Sequence, residues 1–126
     1  MTITGNFIGG KTVTSGSNNT MPVFDPATGK VVREVTLSTA QEVSDAIQVA
    51  HDAFDGWSRT TPLRRARVLF NFKMLLEQHA EELAGIIVSE HGKVFSDAMG
   101  ELTRGMEVVE FACGIPHLIK GEFSSD

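Results

Sequence analysis

The sequence changes character near Ser38, and this change constrains the fold more than any other feature. Residues 1–37 are rich in glycine, threonine, serine, asparagine and valine, which is typical of short strands joined by turns. Residues 38–126 instead repeat apolar residues at helical spacing between recognisable helix caps. The sequence therefore predicts two parts: N-terminal strands and turns over 1–37, and a helical layer over 38–126.

The N-terminal part contains glycine turns between short apolar runs. Asn6 to Val13 predicts a short strand or hairpin arm, in which Gly9 and Gly10 allow a tight turn or a bulge. Met21 to Phe24 is extended, because the residue before a proline avoids the helical region, and Asp25 to Gly29 (DPATG) is a turn. Val31 to Leu37 alternates as a strand with a polar side chain on each face, which predicts a position near a sheet edge.

The first helix begins at one of two overlapping caps. Both Ser38 with Gln41 and Thr39 with Glu42 have the spacing of a capping box. Gly56 is the predicted end of this helix, since glycine commonly follows the last helical residue. Its apolar face is predicted to consist of Val43, Ala46, Ile47, Ala50 and Phe54.

Two further helical stretches follow. The second helix of the chain has Thr61 as its cap and Pro62 as its first residue, and Gly92 closes it. Because this stretch is long for one helix, a break is expected at 78–80. The third runs from about Ser96 to 114–116, where a proline ends or kinks it. Its predicted buried face consists of Met99, Leu102, Met106, Val109 and Cys113.

Charge and cysteine content exclude several classes of function. The net charge is −5, whereas nucleic-acid-binding domains usually carry a basic excess, so no nucleic-acid partner is expected. No apolar run approaches transmembrane length and no signal peptide is visible, so no membrane partner is expected. A single cysteine excludes an internal disulfide and fits a reducing, cytoplasmic location.

Few residues suggest chemistry of their own. Cys113 is interpreted as a small buried hydrophobe rather than a nucleophile, because it lies at a core-like position near a helix end. The four histidines lack metal-ligand spacing, and none is assigned to a metal. Glu90 to Lys93 (EHGK) is interpreted as a helix C-terminus rather than a phosphate loop. No catalytic residue and no cofactor-binding residue is assigned.

Arginines at the start of the second helix are interpreted as ion-paired or as part of a subunit contact, in preference to a site for a nucleotide phosphate. Cations there oppose the helix dipole, so acidic partners are expected. The arginines are Arg64, Arg65 and Arg67, and the expected partners are Asp52, Asp55 and Glu122.

Arg104 lies within an otherwise apolar helical stretch and has two interpretations. It can form a salt bridge with Glu101 or Glu107, each three residues away, worth about 0.2–0.5 kcal/mol on an exposed helix face. It can instead serve as a fork that binds a carboxylate of a ligand. The residues alone favour the salt bridge.

Four segments together resemble one enzyme family. They are the opening NFIGG, the DPATG turn, EHGK, and GELTRGMEVVEFACGIPHLIKGE over Gly100 to Glu122. From Asn6 to Glu122 the chain resembles the N-terminal quarter of NAD-dependent aldehyde dehydrogenases, and within them the CoA-acylating methylmalonate-semialdehyde branch. Members of the wider family often hold a monovalent cation by main-chain oxygens near the DPATG turn, here Val23 and Phe24, but no metal site is assigned.

The resemblance implies an α/β fold: the start of the NAD-binding lobe, a short hairpin or meander followed by three or four helices, incomplete as a domain. It implies oxidation of methylmalonate or malonate semialdehyde to propanoyl-CoA or acetyl-CoA, with NAD and CoA. Arg104 matches the arginine of a GExxRG motif that recognises the substrate carboxylate. The family's nucleophile and nucleotide motifs would lie beyond Asp126.

From this resemblance we expect the 126 residues alone to be inactive and to bind neither cofactor. Their expected partners are the rest of the dehydrogenase chain and, in the full-length enzyme, identical subunits in a dimer or tetramer. Alone, the segment is expected to expose apolar helix faces and self-associate or pack loosely. Two alternatives stay open: a dehydrogenase of acid-bearing aldehydes with water as acyl acceptor, and a non-catalytic interaction module.

Overall fold

A computed structural model describes residues 3–122, which form a mixed α/β structure of short strands followed by helices. The strands are β1 (Ile3–Thr4), β2 (Asn6–Ile8), β3 (Lys11–Val13), β4 (Thr20–Phe24) and β5 (Val31–Thr36). The helices are α1 (Ala40–Ser58), α2 (Pro62–Gln78), α3 (Ala80–His91), α4 (Phe95–Cys113) and the short α5 (Ile115–Leu118). Chain contacts divide it into two compact units, Met1–Arg59 and Thr60–Asp126. We call these the N-terminal unit and the helical unit.

Of the two alternatives for Gly9 and Gly10, a tight turn and a bulge, the structure has the tight turn, which joins two strands of a hairpin in the N-terminal unit. Strands β2 and β3 pair antiparallel, with Asn6 opposite Val13 and Ile8 opposite Lys11. Gly9 and Gly10 connect them with φ angles of 60° and 79°. Because other residues rarely adopt two successive positive φ values, this turn requires glycine.

A second sheet places β5 in the centre rather than near an edge. Its strand order is β1-β5-β4, in which β4 is antiparallel to β5 and β1 is parallel to it. The predicted edge position of the 31–37 strand is therefore wrong for this sheet. The polar side chains on both faces suggested an edge, but the pairing of Ile3 with Glu34 and of Thr4 with Val35 covers the second side of β5.

Helix α1 begins at the second of the two predicted caps. The Thr39 hydroxyl accepts a hydrogen bond from the Glu42 N–H, and the Glu42 carboxylate accepts one from the Thr39 N–H, which completes a capping box. The predicted end at Gly56 is wrong, because α1 continues to Ser58. Gly56 does not take a positive φ, and an Asp55–Arg59 ion pair spans the last turn.

The apolar face of α1 is largely uncovered. Val43, Ile47 and Phe54 are 50%, 65% and 66% exposed. Helical periodicity correctly predicted which residues share this face, but within residues 3–59 no side chain is buried. This part of the chain is therefore held by polar contacts rather than by a core.

The helical unit contains the predicted break between its first two helices. His79 lies between α2 and α3, and its backbone N–H donates to the Leu75 carbonyl as α2 ends. Thr61 caps α2, with Pro62 as its first residue, as predicted. Helix α4 ends at Cys113, after which Pro116 lies within the short α5, which agrees with the predicted end or kink.

The core of the helical unit consists of small side chains. Helix α4 packs against both α2 and α3, and the buried residues are Ala66, Ala84, Ala98 and Cys113. The predicted inner face of α4 is confirmed, since Met99, Leu102, Met106 and Val109 are all partly buried there. Small residues at these positions allow helix backbones to approach closely, while larger apolar side chains, including Phe70, Phe72 and Phe111, stay about half exposed or more.

Candidate functional site

The candidate site begins where the chain passes from α3 to α4. Helix α3 ends at His91, and Gly92 follows in the left-handed conformation with φ of 78°. Its N–H donates to the Val88 carbonyl, so EHGK is a helix C-terminus, as predicted from the sequence. Lys93 follows the glycine directly, and α4 starts two residues later at Phe95.

Lys93 forms an ion-pair cluster with two carboxylates on α4. Its Nζ lies 2.6 Å from Asp97 Oδ2 and 2.5 Å from Glu101 Oε1, and the lysine side chain is only 11% exposed. The hydrogen bonds to Asp97 and Glu101 raise the pKa of Lys93. The pKa of Asp97 is lowered chiefly by Lys93, with smaller contributions from Arg104 and His91. This region therefore holds charges of both signs close together.

Arg104 lies on the same side of α4 as Asp97 and Glu101, because residues at i, i+4 and i+7 share a helix face. Its side chain is exposed. Within residues 3–122 no ion pair joins it to Glu101 or Glu107, so the salt bridge that the residues alone favoured is wrong. For Glu101 the physical reason is that Lys93 holds its carboxylate instead.

The Arg104 guanidinium folds back along the helix towards Gly100. A Cβ built on Gly100 would lie 3.7 Å from Arg104 Nη1, which is ordinary van der Waals contact. On the other side, a Cβ built on Gly105 would meet nothing within 4 Å. The Thr103 hydroxyl donates to the Met99 carbonyl at 3.0 Å. The guanidinium thus extends along α4 towards Gly100, and it is close enough to Asp97 to help lower the pKa of that carboxyl.

The Lys93 cluster was not identified from the sequence, although part of its signal was there. Lys93 and Asp97 are four residues apart and Glu101 is four residues further, a spacing that favours ion pairs on a helix. Lys93, however, precedes α4 and was interpreted only through its position at the end of α3. The spacing argument applies here because the turn at Gly92 directs the lysine towards the first turns of α4.

The cysteine and the histidines considered as candidates for chemistry lie at helix ends or in the core. Cys113 is 6% exposed at the end of α4, which confirms its interpretation as a small buried residue. His79 and His91 lie at helix ends, as predicted, and His79 Nδ1 is 2.9 Å from a Glu82 oxygen. In the described part of the chain no group of three or more histidine, cysteine, aspartate or glutamate residues is placed to hold a metal ion.

The arginines of α2 are not ion-paired within the helical unit. None of Arg64, Arg65 and Arg67 forms a salt bridge among residues 60–122. Asp55 is paired with Arg59, and Asp52 accepts a hydrogen bond from Gln48. Glu122, the expected partner that lies in this unit, pairs with none of them, and pairing with Asp52 or Asp55 stays a prediction. The alternative, a subunit contact, stays a prediction.

One cleft of about 440 Å³ lies in the N-terminal unit between the β2–β3 hairpin and α1. Glu42 forms part of its wall, but both carboxylate oxygens accept the Ser15 hydroxyl at 2.8 Å and one also accepts the Gly16 N–H at 2.8 Å. The hydrogen bond from the Thr39 N–H, followed by these bonds from Ser15 and Gly16, lowers the pKa of Glu42 to about 2. The carboxylate therefore fastens the strand region to α1, which is a structural role.

No helix among residues 3–122 is long and apolar enough to cross a membrane.

The sequence profile of the aldehyde dehydrogenase family matches residues 13–126. The chain is 46% identical over 125 residues to malonate-semialdehyde dehydrogenase 1 of Geobacillus kaustophilus, covering 99% of this chain and 26% of that protein. It is 47% identical to malonate-semialdehyde dehydrogenase 2 of Oceanobacillus iheyensis, covering 93% of this chain and 24% of that one.

Two solved structures with similar names have the same fold as this chain over their matched parts. The methylmalonate-semialdehyde dehydrogenase of Oceanimonas doudoroffii superposes with a TM-score of 0.94 at 50% identity, over 99% of this chain and 25% of that one. A Sinorhizobium meliloti protein assigned as a methylmalonate-semialdehyde dehydrogenase was solved with NAD. It superposes with a TM-score of 0.93 at 43% identity, over 99% of this chain and 26% of that one. The chain spans about a quarter of the length of these relatives. It belongs to the aldehyde dehydrogenase family.

Proposed function

We propose that the chain is the N-terminal segment of a CoA-acylating methylmalonate- or malonate-semialdehyde dehydrogenase, in which Arg104 binds the substrate carboxylate. The enzyme would oxidise the semialdehyde with NAD, release the substrate carboxylate as CO2 or bicarbonate, and transfer the remaining acyl group to CoA. The product would be propanoyl-CoA from methylmalonate semialdehyde and acetyl-CoA from malonate semialdehyde. The observation that carries this proposal is an exposed arginine whose adjacent glutamate is already paired with a lysine.

A guanidinium suits this task because its planar fork of N–H donors matches the two oxygens of a carboxylate. Arg104 is exposed on α4. Glu101, the nearest competing carboxylate along the helix, is bound by Lys93 at 2.5 Å. A substrate carboxylate would therefore meet a positive group that does not first have to leave an internal salt bridge, which favours acid-bearing aldehydes over plain ones.

The relatives support the choice of substrate. Their names are malonate-semialdehyde and methylmalonate-semialdehyde dehydrogenase, and both substrates carry a carboxylate and an aldehyde. In this chain the GELTRG segment that contains Arg104 lies wholly on α4. A fixed helical position suits specificity, because a rigid element holds a binding group in a constant geometry.

The glycine of EHGK is not placed to bind a phosphate of NAD or CoA. This glycine closes the C-terminus of α3 and directs its N–H to the Val88 carbonyl. A phosphate site needs several backbone N–H groups aimed outward, usually at a helix N-terminus. We therefore assign this segment to substrate selection and propose that the groups for the nucleotide, CoA and the covalent step lie elsewhere in the enzyme. Its cytoplasmic location and assembly into a dimer or tetramer stay predictions.

The test compares Arg104→Ala with wild type in the full-length enzyme that carries this segment. Methylmalonate semialdehyde and propanal make a matched substrate pair, because they differ only in the carboxylate. We expect kcat/KM for the acid substrate to fall by about tenfold or more, corresponding to about 1.4 kcal/mol of transition-state binding, while that for propanal is unchanged.

Arg67→Ala is the matched control, since it removes another exposed arginine of the helical unit that lacks an ion pair there. It should leave the ratio of the two kcat/KM values as in wild type. An equal fall for both substrates in Arg104→Ala, or no fall for either, would contradict a carboxylate-binding role. Running the assays with and without CoA separates acyl transfer to CoA from acyl transfer to water.

A further inference from the structure

Two lysines of the helical unit bridge to α4, and they do so in different surroundings. Lys73 on α2 lies 2.6 Å from Glu77 on its own helix and 3.7 Å from Glu110 on α4. Lys93 lies within 2.6 Å of both Asp97 and Glu101 and is the less exposed of the two, at 11% against 23%. Only the Lys93 bridge involves a carboxylate three residues from Arg104.

Glu101 and Arg104 have a spacing at which a helix normally allows an ion pair. The structure has no such pair in the part of the chain that it describes. One oxygen of Glu101 is instead 2.5 Å from the Lys93 ammonium, and the guanidinium extends towards Gly100. Lys93 thus competes with Arg104 for the same carboxylate and holds it.

We propose that Lys93 is a positioning residue that keeps Glu101 away from Arg104, so that the guanidinium stays available to an incoming carboxylate. The inference rests on the proposed function for the identity of that carboxylate, but the competition for Glu101 does not depend on it. Lys93 is placed to do this because the left-handed Gly92 turns the chain from α3 directly onto the first turns of α4.

The local charge balance gives Lys93 a second effect. Asp97 and Glu101 contribute two negative charges, which Lys93 and Arg104 together neutralise. Without Lys93 the same surface would carry a net negative charge. Glu101 would then be free to pair with Arg104, and the remaining negative charge would repel an anionic substrate.

The kinetic test is Lys93→Met in the full-length enzyme. We expect KM for methylmalonate semialdehyde to rise by about two- to fivefold, the range of exposed ion-pair effects, with kcat little changed and propanal kinetics unaffected. The double variant Lys93→Met/Glu101→Gln should restore KM, because the competing carboxylate is gone. Lys93→Arg should also keep KM near the wild-type value, because it retains the positive charge.

Lys73→Met is the matched control, since it removes the other lysine bridge to α4. It should leave the selectivity between the two substrates unchanged. If Lys73→Met and Lys93→Met change the kinetics of both substrates alike, Lys93 is only structural and the inference is overturned. The inference would also be overturned if the double variant Lys93→Met/Glu101→Gln kept the raised KM of Lys93→Met.

A second readout does not use enzyme activity. The rate at which an arginine-selective dicarbonyl reagent modifies Arg104, followed by peptide mass spectrometry, reports whether the guanidinium is free. Modification should slow in Lys93→Met and recover in Lys93→Met/Glu101→Gln. An unchanged rate in Lys93→Met would overturn the inference. A slowed rate with unchanged substrate selectivity would uphold the role of Lys93 and contradict the proposed carboxylate-binding role of Arg104.

Discussion

The N-terminal unit and the helical unit use different chemistry to hold their elements together. Among residues 3–59 no side chain is buried, and the Glu42 carboxylate fastens α1 to the strand region by accepting bonds from Ser15 and Gly16. The helical unit buries alanines on each of its three long helices, Ala66, Ala84 and Ala98. The N-terminal unit therefore depends on a few directional polar bonds, whose strength changes with the protonation of Glu42. The helical unit depends on close packing, which is sensitive to the volume of its buried side chains.

The largest expected effect comes from overfilling the small core of the helical unit. Ala98 is completely buried on α4, so Ala98→Leu adds three carbon atoms where no space exists. Overpacking of this kind costs about 1–3 kcal/mol. Native-state hydrogen exchange should show a matching loss of protection in α2, α3 and α4.

The matched control is Ala53→Leu on α1, where the alanine is exposed. It should change protection by less than about 0.5 kcal/mol, as expected for surface substitutions. If Ala98→Leu left exchange in the helical unit unchanged, close packing of small residues would not be what holds α4, and the contrast between the units would fail.

The next effect concerns the polar fastening of the N-terminal unit. Hydrogen bonds, first from the Thr39 N–H and then from Ser15 and Gly16, lower the pKa of Glu42 from 4.5 to about 2. Because the pKa is lower in the folded state, the stabilisation is complete above about pH 4.5 and is lost as pH falls through about 2. Hydrogen exchange of α1 should show this loss. Glu42→Gln should abolish the pH dependence of protection between about pH 4.5 and 2, and it should lower protection at neutral pH.

Asp45→Asn is the control for that experiment. Asp45 is an exposed carboxylate on the same helix that accepts one side-chain bond, from Gln41. The Asp45→Asn variant should keep the wild-type pH dependence of protection in α1. Equal behaviour of Glu42→Gln and wild type between pH 4.5 and 2 would show that α1 is held by something other than this carboxylate.

The smallest expected effect is a gain in stability at Gly105. It lies in the interior of α4, and an added Cβ would meet nothing within 4 Å. Gly105→Ala should therefore raise protection of α4 by about 0.5–1 kcal/mol, the difference between glycine and alanine in a helix. Gly100→Ala provides the comparison, because the same helical gain comes with a contact to Arg104 Nη1 at 3.7 Å. A loss of protection in Gly105→Ala would indicate that this side of α4 is covered in the full-length enzyme.

Local signals in the sequence predicted many of the element boundaries. The Gly9–Gly10 turn, the start of α2 at Pro62, the break at His79 and the left-handed Gly92 were all correctly identified. Each depends on conformational preferences or hydrogen bonds that act over about four residues. The same reasoning failed at Gly56, where neighbouring helical contacts, including the Asp55–Arg59 pair, outweighed the preference of glycine for a helix end.

The candidate site was predicted less completely. Arg104 was singled out from its position in an apolar helix and from the GELTRG resemblance, but its salt bridge with a neighbouring glutamate was expected on spacing alone. Spacing within a helix does not show which of two cations a carboxylate will choose. Lys93 takes Glu101 because the turn after α3 brings its ammonium within 2.5 Å.

The sequence by itself determined the helix caps, the glycine turns, the inner face of α4 and the membership of a dehydrogenase family. These features depend on residues close together in the chain or on motifs that can be matched directly. Only the tertiary structure decided that β5 is central, with β1 parallel beside it, that Glu42 bonds to Ser15 across 27 positions, and that Lys93 rather than Arg104 holds Glu101. Such choices depend on where turns place distant or competing groups in space, and local preferences carry no information about that placement.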